Sequence, residues 1–386
     1  MGPDAGPEIA PARSLQSPAV AAGTHADAVG GVASPDSAAP FLLAFSIPTH
    51  HGRCPVLRRA LDSVFDQLSD PATDRVQVCV SDNASRDGTA ELVAEFQERF
   101  PGRLKYHRNA EDQGLIPNLL QSVAMADAEF CWWLGSDDTI EDGAVAKMLG
   151  LLDEHPTVAG VTLNRIRIHH VDRNWRQRDS ADELPDDPDR LHVYDSADKI
   201  FRNVGLSHDF MSTQVLRRAS WLDALEVTDR QELARMGDLG QLYVMGKVVQ
   251  RHPSWIWFPE PLVHHTVGTS VLDEQLQHNY ARYQLVIMEG RSRVWGTLFG
   301  RGSPLYRTLM HKAYLRSLRV RAVVGLKLWP QHGTRQDLEL LTLARYFYWL
   351  PQFWLVTFPL LLVPHGVLKA LSHVKRRALA TKENQQ

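Results

Sequence analysis

Four times between residues 41 and 152, a short apolar run gives way to a polar loop and then to apolar residues at helical spacing. The runs are residues 41–47, 76–80, 104–107 and 130–134. Pro55 opens the first helical segment, which Leu57, Leu61, Val64, Phe65 and Leu68 mark on one face. Similar segments occupy about residues 89–100, 115–126 and 142–152. Continuous apolar strands need cover on both faces, and alternation with helices at such short spacing makes neighbouring strands parallel. The expectation is an α/β fold, a Rossmann-like and mostly parallel sheet with helices on both faces.

Ligands of such sheets bind at the carboxyl ends of the strands. The fourth run ends there in Gly135-Ser136-Asp137-Asp138. Two adjacent carboxylates at the end of a buried strand repel one another and are costly to desolvate, so a cation between them is favoured. A divalent metal carrying a phosphate would satisfy both acids; a solvated turn capping the next helix is the plainer alternative. The second run ends in Ser81-Asp82-Asn83, and the first in Pro48-Thr49 before a loop reaching Arg53. There is no G-x-G-x-x-G or Walker-type loop, so a nucleotide here would be held by side chains and a metal.

In order along the chain, strand-Pro-Thr, VSDNASRDGT, HRNAEDQG and a strand ending in GSDD resemble the family 2 glycosyltransferases of GT-A fold. The CWWLGSDD version is especially similar to bacterial members that build O-antigen-type polysaccharides, the abequosyltransferase-like group. The likeness covers residues 41–150 well and 200–270 loosely. It implies an inverting transfer from a nucleotide-sugar donor, with Mn²⁺ or Mg²⁺ as cofactor. Thr49 then lies near the base and ribose, and Asp82 accepts a hydrogen bond from the nucleobase. Asp137 and Asp138 stand as the D-x-D-type pair, one acid at the ribose or metal and the other on the metal. The S-D-D spelling leaves open which acid binds the metal directly. Asp238, in Ala234-Arg235-Met236-Gly237-Asp238, resembles the catalytic base, carried on a helix and partly desolvated. His264 or His265 resembles a late contact to the diphosphate or metal, with His265 the metal candidate and Thr266 where the family often has Arg. Asp87 and Asn109 are expected to hold turns, and Trp255, Trp257 and Phe258 to be core.

Composition adds bounds. The formal net charge of −3 gives no general affinity for nucleic acid. Cys54, Cys79 and Cys131 form no C-x-x-C pair and read as reduced residues, two of them in strand-like runs. Residues 1–40 are rich in Ala, Pro, Gly and Ser and read as a disordered tail without a secretory signal. Residues 179–189 are acidic and read as a surface loop.

The last third differs from the rest. From 291 to 336 there are basic residues and no Asp or Glu, and residues 305–328 carry a helical apolar pattern. A basic amphipathic helix suits an anionic membrane surface. Residues 346–368 carry no formal charge but include Pro351, Pro359 and Pro364. That favours a broken or re-entrant anchor over a straight spanning helix. The expected organisation is a tail (1–40), a glycosyltransferase domain (41–270), a basic helical region (271–345), an apolar anchor (346–374) and a basic/polar tail (375–386). A lipid-linked (polyprenyl diphosphate) saccharide acceptor at the cytoplasmic face of the plasma membrane follows as an expectation. A sugar-nucleotide nucleotidyltransferase and a non-catalytic membrane scaffold are the alternatives; the former usually has a Gly-rich basic loop, and residues 49–53 contain one Gly.

Overall fold

A computed structural model of the chain describes residues 39–169, 176–178, 185–267, 280–318, 320–328 and 334–370. Residues 1–38 of the expected N-terminal tail (1–40), residues 371–374 at the end of the expected anchor (346–374), the whole expected tail at 375–386 and the acidic positions 179–184 lie outside the described residues. The four apolar runs are strands: β1 (Phe41–His50), β2 (Val76–Asn83), β3 (Leu104–Arg108) and β4 (Ala128–Trp133). They alternate with α1 (Cys54–Phe65), α2 (Thr89–Arg99) and α3 (Leu115–Ala124). A short strand, β5 (Thr139–Ile140), and α4 (Ala144–Glu154) complete this half. The strands pair in parallel in the order β3-β2-β1-β4.

Alternate residues of each strand serve opposite faces of the sheet. Leu43, Phe45 and Ile47 of β1, with Phe130 and Trp132 of β4, pack on α1, α2 and α4. Ala44, Cys131 and Trp133 face the other way, onto α3 and the helices that follow. Each large side chain enclosed in this way contributes about 1.5–3 kcal/mol relative to exposure. The cysteines are free, and Cys79 and Cys131 are buried.

Beyond β4 the sheet becomes mixed. It continues through β6 (Gly160–His169), β7 (Arg176–Arg178), β8 (His192–Tyr194), β9 (Gln214–Arg217) and β10 (Trp255–Val267). The main order is β3-β2-β1-β4-β9-β6-β10-β5, with β7 on β6 and β8 on β10. β9 runs antiparallel to both β4 and β6, so β6 and its parallel neighbour β10 point the same way as β4. Their carboxyl ends therefore reach the same edge. β10 extends well past the expected aromatic stretch, to Val267. At Gly160, a Cβ would lie 2.3 Å from the Trp255 ring, so the indole closes over bare backbone.

Helices α5 (Ala197–Val204), α6 (Arg218–Glu226), α7 (Arg230–Met236) and α8 (Gly240–Arg251) cover the second face. The C-terminal third adds α9 (Tyr280–Phe299), α10 (Pro304–Ser317), α11 (Val320–Lys327) and α12 (Thr334–Leu341). Shorter helical turns follow to residue 370. Met288, Trp295, Leu309, Met310, Phe347 and Phe353 share one hydrophobic cluster with Trp133 and Trp221 under the sheet. The expected continuous helix over 305–328 is interrupted after Ser317. Its basic residues do not all face outward, because Lys327 is fully buried on the Leu361 carbonyl and Asp337. Among the described residues, no helix is long and apolar enough to cross a membrane.

Candidate active site

The parallel register sets Thr49 directly beside Asp82 at the carboxyl ends of β1 and β2. Thr49 is buried; its carbonyl accepts from Asn118 Nδ2 of α3 at 3.0 Å, while its hydroxyl has no hydrogen-bond partner among the described residues. A buried hydroxyl left in that state costs about 1–3 kcal/mol, which a ligand reaching it would recover. Asp82 is fully buried. Its Oδ1 accepts from the Ser85 N–H at 2.9 Å and its Oδ2 from the Tyr106 hydroxyl at 2.6 Å. The return to Ser85 needs a left-handed residue, supplied by Ala84 at φ 61°. Such strain in a non-glycine residue is characteristic of binding loops.

A polar net braces this edge. Asn109 Nδ2 donates to Asn83 Oδ1 (3.0 Å) and to Asn118 Oδ1 (3.2 Å), and the Ser81 hydroxyl donates to Asn118 Oδ1 at 2.7 Å. Asp87 accepts from the N–H groups of Gly52 and Cys54 and from the Thr89 hydroxyl, so it closes the start of α1 and holds the start of α2. Burial opposes its charge, but these donors hold its carboxyl below the usual range. Asp87 and Asn109 thus sit in turn-holding positions.

The two acids after β4 are not equivalent. Asp138 is 3% exposed; its Oδ2 accepts from the Ser212 hydroxyl at 2.5 Å and its Oδ1 from the Thr266 N–H at 2.9 Å. Burial, reinforced by the neighbouring Asp137 charge, pushes the Asp138 carboxyl well above the usual carboxylate range. Asp137 is 21% exposed at its side chain, with Oδ2 3.4 Å from Arg53. Asp137 is therefore the acid open to a ligand, and Asp138 is the buried one behind it. A Cβ on Gly135 would stand within 3.2 Å of oxygens of Asp137, Asp138 and Ser212, so any side chain here would crowd all three. Sequence reading missed Ser212, Thr266 as an Asp138 donor, Tyr106 and Arg53. Only Arg53 carried a signal, as the sole cation in the loop after β1.

His265 lies on β10, where its ring packs against Phe210, tilted by 44° with the ring centres 4.3 Å apart. Burial, then Arg165, Arg167 and Arg316, push its imidazole well below the usual histidine range. Its Nδ1 is buried with no hydrogen-bond partner among the described residues. Its neighbour His264 turns to Glu141 at 2.5 Å. Among the described residues, no three His, Cys, Asp or Glu side chains come together as a metal-holding group, so His265 is not gathered with Asp137 and Asp138. The acid pair still suits a cation, since positive charge would lower the cost of ionising the buried Asp138. Trp255 and Trp257 are buried core residues; Trp255 donates to Thr162 Oγ1 at 2.9 Å.

Asp238 is placed differently from the expectation. It is exposed, in a 3₁₀ turn (Gly237–Leu239) between α7 and α8, instead of partly desolvated on a helix. Gly237, at φ 58°, ends α7 one residue before it. The turn packs on α3, the helix whose Asn118 holds the Thr49 carbonyl, and on α9. Asp238 thus lies beside the helix that borders the strand-end edge.

Residues 45–224 match the model of Glycosyl transferase family 2. Abequosyltransferase RfbV of Salmonella typhimurium is 28% identical over 200 residues, covering 48% of this chain and 55% of that protein. The chain thus spans about half the length of this curated relative. Among solved structures, S. aureus TarS 1-349 superposes with a TM-score of 0.50 over 79% of this chain and 85% of that one, at 14% identity. At that identity the likeness is one of fold, and it is the fold expected from the alternation of strands and helices.

Proposed function

We propose that this chain, a family 2 glycosyltransferase by its domain at residues 45–224, transfers a sugar with inversion from a nucleotide-sugar donor to a hydroxyl of a lipid-linked saccharide. The observation that carries the reading is the common edge on which Thr49, Asp82 and the Asp137-Asp138 turn lie. A nucleotide laid along it has its base against Asp82, its ribose near Thr49 and its diphosphate at Asp137. Asp137, with Asp138 behind it, would hold Mn²⁺ or Mg²⁺, which when bound would supply positive charge to the departing nucleoside diphosphate. Asp238 accepts the proton of the attacking hydroxyl. The S. typhimurium relative is itself an abequosyltransferase, which agrees with a role in cell-surface polysaccharide synthesis.

Membrane association at the cytoplasmic face belongs to the same proposal. Tyr348, Trp354, Leu355, Val356, Leu362 and Val367 are exposed on the helical turns of 344–368, with Leu355 at 78%. An apolar strip of this kind on short helical turns suits a surface-lying anchor over a span. The test is transfer itself. The full chain, with Mn²⁺ and a panel of nucleotide sugars, should release nucleoside diphosphate when given polyprenyl-diphosphate-linked saccharides. Release of pyrophosphate from a nucleoside triphosphate and sugar phosphate instead would overturn the reading.

A further inference from the structure

Among the described residues, the Asp238 carboxylate makes no hydrogen bond or ion pair of its own. Its place is therefore set by the backbone of the Gly237–Leu239 turn and by what grips that turn. A Cβ on Gly240 would stand 3.1 Å from Ile116 of α3 and from Leu233 of α7. A further contact comes from α9, in the C-terminal third. A Cβ on Gly290 would stand 2.6 Å from Leu239 Cδ1, so bare backbone of α9 lies against the residue that follows Asp238. Three residues on, and so on the same side of the helix, Arg293 donates from Nη1 to the Arg235 carbonyl at 2.7 Å. That carbonyl belongs to the last turn of α7, where carbonyls lack partners within the helix and a cation is favoured. Glu289, one turn back along α9, meets the Arg293 guanidinium at 3.2 Å.

Other residues fix α9 itself. Arg291 is buried in an ion pair with Asp209, the Ser292 hydroxyl meets the Tyr306 hydroxyl at 2.8 Å, and Met288 and Trp295 belong to the core. Loss of Arg293 would thus leave α9 in place and free the end of α7. We infer that Gly290 and Arg293 are positioning residues for the transfer: through them α9 sets where Asp238 stands. A general base acts only within hydrogen-bond reach of the proton it takes. A misplacement of about 1 Å can cost about a hundredfold in rate. The residues proposed to hold the donor stand at the ends of β1, β2 and β4, none of them on α7 or α9. A shift of this turn should therefore act on turnover and spare donor binding. The C-terminal third then serves the chemical step as well as carrying the exposed apolar strip.

This inference rests on the proposed transfer with Asp238 as its base, and its test separates the two. Hydrogen–deuterium exchange of the full chain needs no substrate. Arg293→Gln should speed exchange in peptides spanning 234–241 and leave β1 to β4 unchanged. Unchanged exchange at 234–241 would overturn the inference whatever the activity. Kinetics use Mn²⁺ with the nucleotide sugar and polyprenyl-diphosphate-linked saccharide that the wild type turns over. Arg293→Gln is expected to lower kcat by about three- to tenfold, the worth of one hydrogen bond, with donor KM unchanged. Gly290→Ala should act alike by displacing Leu239, and Arg293→Lys should recover part of the Arg293→Gln loss. In an Asp238→Asn background, Arg293→Gln should cost nothing further, because the position of an absent base no longer matters. An equal loss in both backgrounds, or a donor KM that rises as kcat falls, would overturn positioning and leave Arg293 a general structural role. Unchanged kcat in both Arg293→Gln and Gly290→Ala would overturn it as well. Full kcat in Asp238→Asn alone would defeat the base assignment, and no turnover by the wild type would defeat the transferase reading; the inference falls with either.

Discussion

Thr266 donates its backbone N–H to Asp138 Oδ1 at 2.9 Å across a sequence separation of 128 residues. With the Ser212 hydroxyl on the other oxygen, this contact fixes Asp138 from two directions and leaves Asp137 as the acid facing the open edge. A buried carboxylate tethered in this way supports the turn and carries charge for a cation, while its neighbour meets the ligand. The two acids should therefore fail differently when replaced. Asp138→Ala leaves buried donors without an acceptor and is expected to cost about 1–3 kcal/mol in urea denaturation. Asp137→Ala should shift stability by about 0.5 kcal/mol or less. Equal destabilisation by both would contradict the assignment.

Asp238 is exposed on a turn anchored by the buried residues Met236 and Leu239. Removing its charge should not disturb the fold. Asp238→Asn is expected to lower kcat by about 10²–10⁴-fold, the usual contribution of a general base, with donor affinity retained. Parallel measurement of turnover and nucleotide binding checks this. If donor affinity falls along with kcat, Asp238 supports the site instead of acting on the acceptor.

His208 sets an acid limit on the fold. It is fully buried against Trp255, and neither ring nitrogen has a hydrogen-bond partner among the described residues. Burial pushes its pKa down from 6.5 to about 3, against the opposing pull of Asp209. Between those values the unfolded chain holds a proton that the folded chain refuses. This contribution to stability is fully present above pH 6.5 and falls as the pH drops, by about 1.4 kcal/mol per unit. Urea midpoints measured from pH 7 to pH 5 should fall less steeply for His208→Leu than for the wild type. Identical slopes would show that His208 is not the group responsible.

How much of this was legible in the sequence depended on range. Period and apolar runs announce β1 to β4 because each strand and its helix are written in contiguous residues. The terminal acids of β4 stand out because carboxylates are out of place at the end of CWWL. Ser212 and Thr266 left no such mark: they reach Asp138 only through β9, β10 and the turn before β9, and a serine or a backbone N–H has no distinguishing pattern. The basic run after Gly290 misled in another way. Composition records that Arg291 and Lys327 are cationic, not that both turn inward to acidic partners. At Asp238 the cue was present, since a glycine directly before it is a common helix stop.

The apolar strip offers its own test. Leu355→Asp and Leu362→Asp place charges on exposed positions outside the hydrophobic core. Both should leave the melting temperature nearly unchanged, yet reduce co-sedimentation of the full chain with anionic phospholipid vesicles. Undiminished sedimentation of the double variant would locate membrane contact elsewhere.

The most direct measurement is a thermal-shift titration of the full chain with UDP, GDP, CDP and dTDP, each with and without Mn²⁺, for the wild type and Asp137→Ala. In the wild type, at least one nucleotide should raise the melting temperature, and Mn²⁺ should enlarge that rise. In Asp137→Ala the ligand-free melting temperature should hold while the Mn²⁺-dependent increment disappears. An undiminished increment in the variant, or no response to any nucleotide in the wild type, would contradict a nucleotide site built on the acids that end β4.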